Sequence, residues 1–207
     1  MLDFSGRTVM IISPHMDDEV IGCSGTITVF RKEINRLIIV HMTEDESRIV
    51  EYQEINKLLQ VDNHYELCLE DGFVEENYKQ AVLKLIEIIQ EEKPQMIFIP
   101  HTDDNHVDHI ATHRIAIDAI EKSRYWNDEL RHHTVQEILE YEVWSFQKNV
   151  SYVVDISLVI NQKIHLMEVY SSQLDFDYLK YIKCINGYRG LLHNKKGYAE
   201  CFNLRSV

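Results

Sequence analysis

No C-x-x-C pair occurs in this sequence, and its four cysteines, Cys23, Cys68, Cys184 and Cys201, stand far apart. That spacing excludes a zinc knuckle and a thioredoxin-like redox motif, and reduced thiols in a cytoplasmic setting are the expectation. Glycine and proline are scarce, 7 and 3 among 207 residues, and no linker, repeat or low-complexity tract stands out. No apolar run approaches the ~18 residues that a membrane span needs. Met1 to Arg7 leads directly into a strand-like run, so no secretory leader is expected. Basic residues are the minority, 21 against 34 acidic ones, for a net charge of −13. Such a surface repels phosphate backbones and anionic lipid, so neither nucleic acid nor a membrane is an expected partner.

What remains is a chain of ordinary globular composition, expected to form one domain over residues 1–207. Short apolar runs alternate with amphipathic stretches. Thr8–Ser13, Arg36–Met42, Tyr65–Leu69 and Gln95–Pro100 read as strands, the first, second and fourth of them apolar enough to be buried on both faces. Between and after them, Gly22–Ile34, Ser47–Gln60, Asn77–Glu92 and His106–Lys122 read as helices. The clearest is Asn77–Glu92, where Tyr78, Val82, Leu85, Ile86 and Ile89 recur at three- and four-residue steps before Pro94. This alternation predicts an α/β fold, a Rossmann-like, mostly parallel sheet flanked by helices. The second half is less regular. Ile138–Trp144 and Tyr152–Ile156 read as strands, Val159–Leu174 as a helix, and further helical turns are expected as far as Val207.

Histidine is plentiful, with 11 residues, and concentrated beside carboxylates. Ligands of open parallel sheets sit at the carboxyl ends of the strands. The first strand is followed by Ser13-Pro14-His15-Met16-Asp17-Asp18-Glu19, and the fourth by His101-Thr102-Asp103-Asp104-Asn105-His106-Val107-Asp108-His109. A catalytic zinc takes about three nitrogen or oxygen ligands and keeps one position open. His15 and Asp18 are three residues apart, as are His106 and His109, so four candidates compete for three places. Asp17, beside Asp18, is placed to take a proton from a water that the metal acidifies. Glu19, Asp104 and Asp108 are candidates for fixing the imidazoles from behind. Gly22-Cys23-Ser24-Gly25 lacks the spacing of a phosphate loop and reads as a close-packing surface of the helix start. No G-x-S-x-G elbow is present, which argues against a serine nucleophile.

His15-Met16-Asp17-Asp18-Glu19 resembles the (P/A)-H-x-D-D-E motif of the PIG-L/LmbE-like deacetylases, and His106-Val107-Asp108-His109 resembles their H-x-D-H motif. Shorter matches follow the same order. They include Arg48 to Glu51, Glu70-Asp71-Gly72, Tyr141 to Trp144, Val154 to Ile156, Lys163, Ser172-Gln173, Arg189-Gly190 and Tyr198 to Phe202. The resemblance implies a zinc-dependent hydrolase that removes acetate from an N-acetylglucosaminyl-type small molecule, with one zinc ion per chain. By matching position, His15, Asp18 and His109 would bind the metal, and Asp17 would be the general base. His106 would stabilise the oxyanion and help protonate the leaving amine. Arg48 and Asp71 would hold sugar hydroxyls.

The sequence departs from the family pattern at four points. Met16 and Val107 replace common prolines, Gln60 stands where many members have glycine, and Cys201 replaces a glycine of related tails, which would alter the substrate rim. Other readings keep the metal but change the reaction, to a phosphoesterase or another amidase. A dinuclear phosphoesterase would need further ligands, for which His101, Asp103 and Asp104 are the surplus. A further reading is a sugar-binding relative without catalysis. The sequence names neither the aglycone nor the oligomeric state.

Overall fold

A computed structural model describes residues 2–126, 132–173, 176–195 and 197–205. Strands β1 (Thr8–Ser13), β2 (Arg36–Thr43), β3 (Asn63–Leu69), β4 (Met96–Pro100), β5 (Glu137–Tyr141), β6 (Tyr152–Asp155) and β7 (Ala199–Arg205) form one sheet in the order β3-β2-β1-β4-β5-β7-β6. The first five run parallel to one another, whereas β7 runs antiparallel to both β5 and β6. The helices are α1 (Asp18–Phe30), α2 (Ile49–Leu59), α3 (Tyr78–Glu92), α4 (Val107–Lys122), α5 (Ile160–Val169) and α6 (Tyr178–Leu192). This mixed, mostly parallel sheet flanked by helices is the expected Rossmann-like arrangement.

Alternation along the strands builds a core on each face. Val9 and Ile11 of β1, with Met96 and Phe98 of β4, pack among residues of α1, α2, α5 and α6. Met10, Ile12, Ile97 and Ile99 point the other way, into α3 and α4. Each such fully buried side chain contributes about 1.5–3 kcal/mol. Burial on both faces explains why these strands read as continuous apolar runs.

Chain order reverses between β1 and β4, the switch point where an α/β sheet leaves a crevice. Helix α1 begins at Asp18, four residues earlier than expected, so the first His/Asp run ends inside a helix N-terminus rather than in a free turn. Its glycines do pack closely. A Cβ on Gly22 would meet the Tyr141 ring at 2.2 Å, and one on Gly25 would meet Glu200 Oε1 at 2.8 Å. Gln60 ends α2 in the left-handed region, φ 55° and ψ 51°, the conformation that suits the glycine of related chains.

The C-terminal third requires corrections. The expected strand Ile138–Trp144 stops at Tyr141, and α5 stops at Val169, with a short 3-10 turn at Ser171–Gln173. Leu174 lies outside the described residues, as do Ser206 and Val207. Helical turns do not continue through the tail, because Ala199–Arg205 is a strand inserted between β5 and β6. Its Glu200 is buried and paired with Lys163, Nζ to Oε1 2.6 Å, and a charge in a central strand conceals the apolar pattern of a strand. Cys201 is buried in that strand and lies outside the lining of the site pocket, so it does not shape a substrate rim.

Candidate metal centre

The loop after β1 and the loop that enters α4 after β4 converge at the switch point. Asp18 Oδ2 lies 3.1 Å from His15 Nδ1 and 3.1 Å from His109 Nε2. Ligands about 2.0–2.1 Å from a tetrahedral ion are about 3.3 Å from one another, so these separations, which are also those of hydrogen-bonded pairs, are short enough for one ion to be shared. His15, His106 and His109 also bring their ring nitrogens within 4.8 Å of one another. His106 is the N-cap of α4 in an extended conformation, not its first helical residue.

Buried carboxylates orient these imidazoles from behind. Asp104 Oδ1 lies 3.3 Å from His109 Nδ1, and Asp104 also accepts from the amides of His106 and Trp144 at 3.0 and 3.1 Å. Asp108 accepts from the amides of Gly72 and Val74 at 2.6 and 3.2 Å and lies 3.2 Å from His15 Nε2. Asp71 Oδ1 shares that nitrogen at 3.0 Å. His15 Nε2 therefore donates outward and leaves Nδ1 facing Asp18 and His109. Asp108 is already committed to two amides, which argues for an outer role in its grouping with His15 and Asp71.

The fit to a metal rests on His109. It is fully buried, and neither ring nitrogen makes a hydrogen bond of good geometry, although Asp18 Oδ2 and Asp104 Oδ1 stand 3.1 and 3.3 Å from them. A buried imidazole nitrogen without a donor or acceptor is costly, and a cation at that nitrogen removes the cost. One oxygen and two nitrogens suit zinc. His15, Asp18 and His109 are therefore a set that fits the ion.

Electrostatics agree with a cation site. Burial disfavours charge on His109, yet Asp18 and Asp104 outweigh it and raise its pKa to about 9. Burial likewise opposes charge on His15, where Asp108, Asp18 and Asp71 win and raise it. Burial also opposes the Asp18 anion, but His109 and His15 hold that carboxyl well below its usual range. Asp17 behaves in the opposite way. Burial, then the neighbouring Asp18 charge, push it well above the ordinary carboxylate range, while Arg48 pulls it down. His106 is lowered by burial and by the nearby His15 and His109. Its Nδ1 lies 3.2 Å from the Asp108 amide and accepts from it, which leaves the proton of the neutral ring on Nε2.

A pocket of about 130 Å³ opens over this centre, lined by His15, Asp17, Asp18, Arg48, Asp71, His106, Trp144, Gln173 and Tyr178. All the expected site residues line it except His109, which lies buried beneath them. Arg48 is turned inward, with Nη1 3.3 Å from Asp17 Oδ2 and Nε 2.9 Å from Asp45 Oδ2. Asp71 is at the mouth, its side chain 66% exposed. The surplus histidine and carboxylates do not assemble a second centre. His101 Nε2 lies 3.0 Å from the Ser145 carbonyl, Asp104 serves His109, and Asp103 faces Lys148 at 3.8 Å. Sequence reasoning did not single out Tyr178, which packs on Trp144 at 5.7 Å between ring centroids. It comes from a distant helix, and a lone tyrosine carries no motif.

Known structures share the fold across nearly the whole chain. The N,N′-diacetylchitobiose deacetylase of Pyrococcus horikoshii, solved with its inhibitor MPG, is 25% identical with a TM-score of 0.84, over 97% of this chain and 84% of that one. The conserved protein TT1542 of Thermus thermophilus is 26% identical with a TM-score of 0.84, over 98% of this chain and 94% of that one. GalB, the 4-carboxy-2-hydroxymuconate hydratase of Pseudomonas putida KT2440, has a TM-score of 0.82 at 14% identity, over 97% of both chains. That last likeness concerns the fold alone, and a hydratase on this fold shows that the fold does not dictate the reaction. The sequence profile of PIG-L, described as GlcNAc-PI de-N-acetylase, matches residues 10–120, more than half of the chain and both His/Asp runs. The chain therefore belongs to the PIG-L family.

Proposed function

We propose that this protein hydrolyses the acetamide of an N-acetylated amino sugar, an N-acetylglucosaminyl-type small molecule, with one zinc ion per chain. The observation that carries this reading is the pairing of Asp18 Oδ2 with His15 and His109, 3.1 Å to each, beneath a pocket that also holds Asp17. Family membership supports amide hydrolysis, as does the similarity to a chitobiose deacetylase.

Zinc held by His15, Asp18 and His109 would supply a Lewis acid for the acetamide carbonyl and acidify the attacking water. Asp17, which lines the pocket beside Asp18, takes one proton from that water as oxygen attacks the carbonyl carbon. His106 presents Nε2–H and donates to the oxygen on which negative charge develops. Asp17 then returns its proton to the nitrogen, the C–N bond breaks, and acetic acid and the amine depart, the acid's remaining proton passing to the amine or to solvent to leave acetate. The neutral His106 of this arrangement acts as a hydrogen-bond donor, and Asp17 is the proton carrier. Asp71 at the mouth and the inner Arg48 suit sugar hydroxyls. The Trp144 and Tyr178 rings offer an apolar face to the C–H face of a pyranose.

Calorimetric zinc titration of metal-stripped protein should give a stoichiometry near one. Acetate release should be assayed on N,N′-diacetylchitobiose and other N-acetylglucosaminyl compounds. Asp17→Asn should keep zinc and lose about 10²–10⁴-fold in turnover. His109→Ala should lose zinc, and His106→Ala should keep zinc and lose mainly rate. No saturable zinc binding by folded protein, or undiminished turnover in Asp17→Asn, would sink the reading. A stoichiometry of two would favour a phosphoesterase.

A further inference from the structure

Asp17 has a backbone conformation that residues with a side chain rarely adopt, φ 135° and ψ −28°, and it is buried. Such a conformation persists only where its surroundings over-determine it. Here both polar groups of the preceding peptide bond are engaged by side chains. The Met16 carbonyl accepts from Arg48 Nη1 at 2.7 Å, and the Asp17 amide donates to Glu19 Oε2 at 3.1 Å. The Asp17 carbonyl is then taken by the first amides of α1, from Val20 at 2.9 Å and Ile21 at 3.0 Å.

Glu19 is fully buried and is itself held from two sides. Its Oε1 accepts from the Tyr170 hydroxyl at 2.8 Å, at the end of α5, and its Oε2 lies 3.2 Å from His41 Nε2 on β2. His41 is braced in turn, with Nδ1 2.9 Å from His64 Nε2 and the Tyr52 ring edge-on at 4.6 Å. None of Glu19, Tyr170 and His41 lines the pocket. A buried carboxylate is costly unless its oxygens are satisfied, and an apolar side chain would fill the same space. The contact through which this assembly reaches the site is the Asp17 amide.

We propose that Arg48 and Glu19, the latter backed by Tyr170 and His41, are positioning residues that lock the Met16–Asp17 peptide and so aim the Asp17 carboxyl into the pocket. The inference rests on the reading of Asp17 as the base. Rotation of this peptide would exchange its N–H and carbonyl directions and swing the carboxyl, and a displacement of about 1 Å in a catalytic group costs about 10²-fold in rate. Asp18 is already inside α1 and would keep its place, so loss of the lock separates turnover from metal binding.

The test uses the full-length chain with Tyr170→Phe, which deletes one hydroxyl, and Glu19→Gln, which keeps the size and removes the charge. Zinc affinity should stay within about threefold of wild type, and KM for N,N′-diacetylchitobiose within about twofold, while kcat falls about tenfold or more. Amide exchange followed by NMR should be about tenfold faster at Asp17 and unchanged at Val20 and Ile21, a contrast that general loosening of α1 would not produce. Unaltered protection of Asp17 in both variants, equal acceleration at Val20 and Ile21, or an unchanged kcat would overturn the proposal. If the wild-type protein releases no acetate from any probe, the deacetylase reading fails. The exchange contrast, measured without substrate, still decides whether the peptide is locked.

Discussion

Zinc binding should release protons, and its pH dependence follows from the charges around His109. In the metal-free protein this imidazole titrates at about 9, because Asp18 and Asp104 overcome the burial that opposes its charge. At pH 7 only about 1 molecule in 100 then carries the free base that a metal requires. His15 is raised as well, whereas Asp18 is held as its anion and His106 is lowered. Binding at pH 7 should therefore displace between one and two protons, with the association constant rising about tenfold per pH unit for each. Calorimetry in two buffers of different ionisation enthalpy measures that number directly, and His106→Ala should leave it unchanged. The linked stability has a definite sign. A raised folded-state pKa contributes stability that is fully present below about 6.5 and is lost as pH climbs through about 9. For His109 that interval amounts to about 3 kcal/mol, so the metal-free protein should weaken from pH 6.5 to 9. A proton release near zero, or an affinity flat between pH 6 and 8, would refute this account of the site.

Two further predictions concern the packing that carries the site. Lys163 is fully buried, with Nζ 2.6 Å from both Glu200 Oε1 and the Ile21 carbonyl. Lys163→Met should cost about 3–5 kcal/mol in urea denaturation by stranding the Glu200 charge. Lys163→Met with Glu200→Gln should recover part of that loss, and a single variant within about 1 kcal/mol of wild type would contradict the pairing. Gly22→Ala should destabilise by about 1–3 kcal/mol, because its Cβ would fall 2.2 Å from the Tyr141 ring. A neutral effect on the urea midpoint would mean that α1 sits further from β5.

The two His/Asp runs and the first four strands were legible because each is a property of consecutive residues. Apolar runs identify buried strands, and His15 through Glu19 and His101 through His109 follow two of them directly. Parallel-sheet topology then brings both runs to one crevice, which is why four candidate ligands, His15, Asp18, His106 and His109, could be named without coordinates, and the resemblance to the family narrowed them to three. The same logic failed over 199–205. Periodicity cannot reveal a strand whose Glu200 is neutralised by Lys163, a partner 37 residues away in sequence. Nor does periodicity show how Arg48, which lines the pocket, is held, with its guanidinium on the Met16 carbonyl and Asp17.

By itself, then, the sequence determined the α/β alternation, the crevice and the identity of the candidate ligands, since these depend on local pattern and chain order. Only the tertiary structure decided how those ligands are held. The reach of Asp108 across to His15, the strained Asp17 peptide held by Arg48, and the Tyr178 wall join residues distant in the chain. Such pairings arise from the packing of separate elements, and no spacing within one segment encodes them.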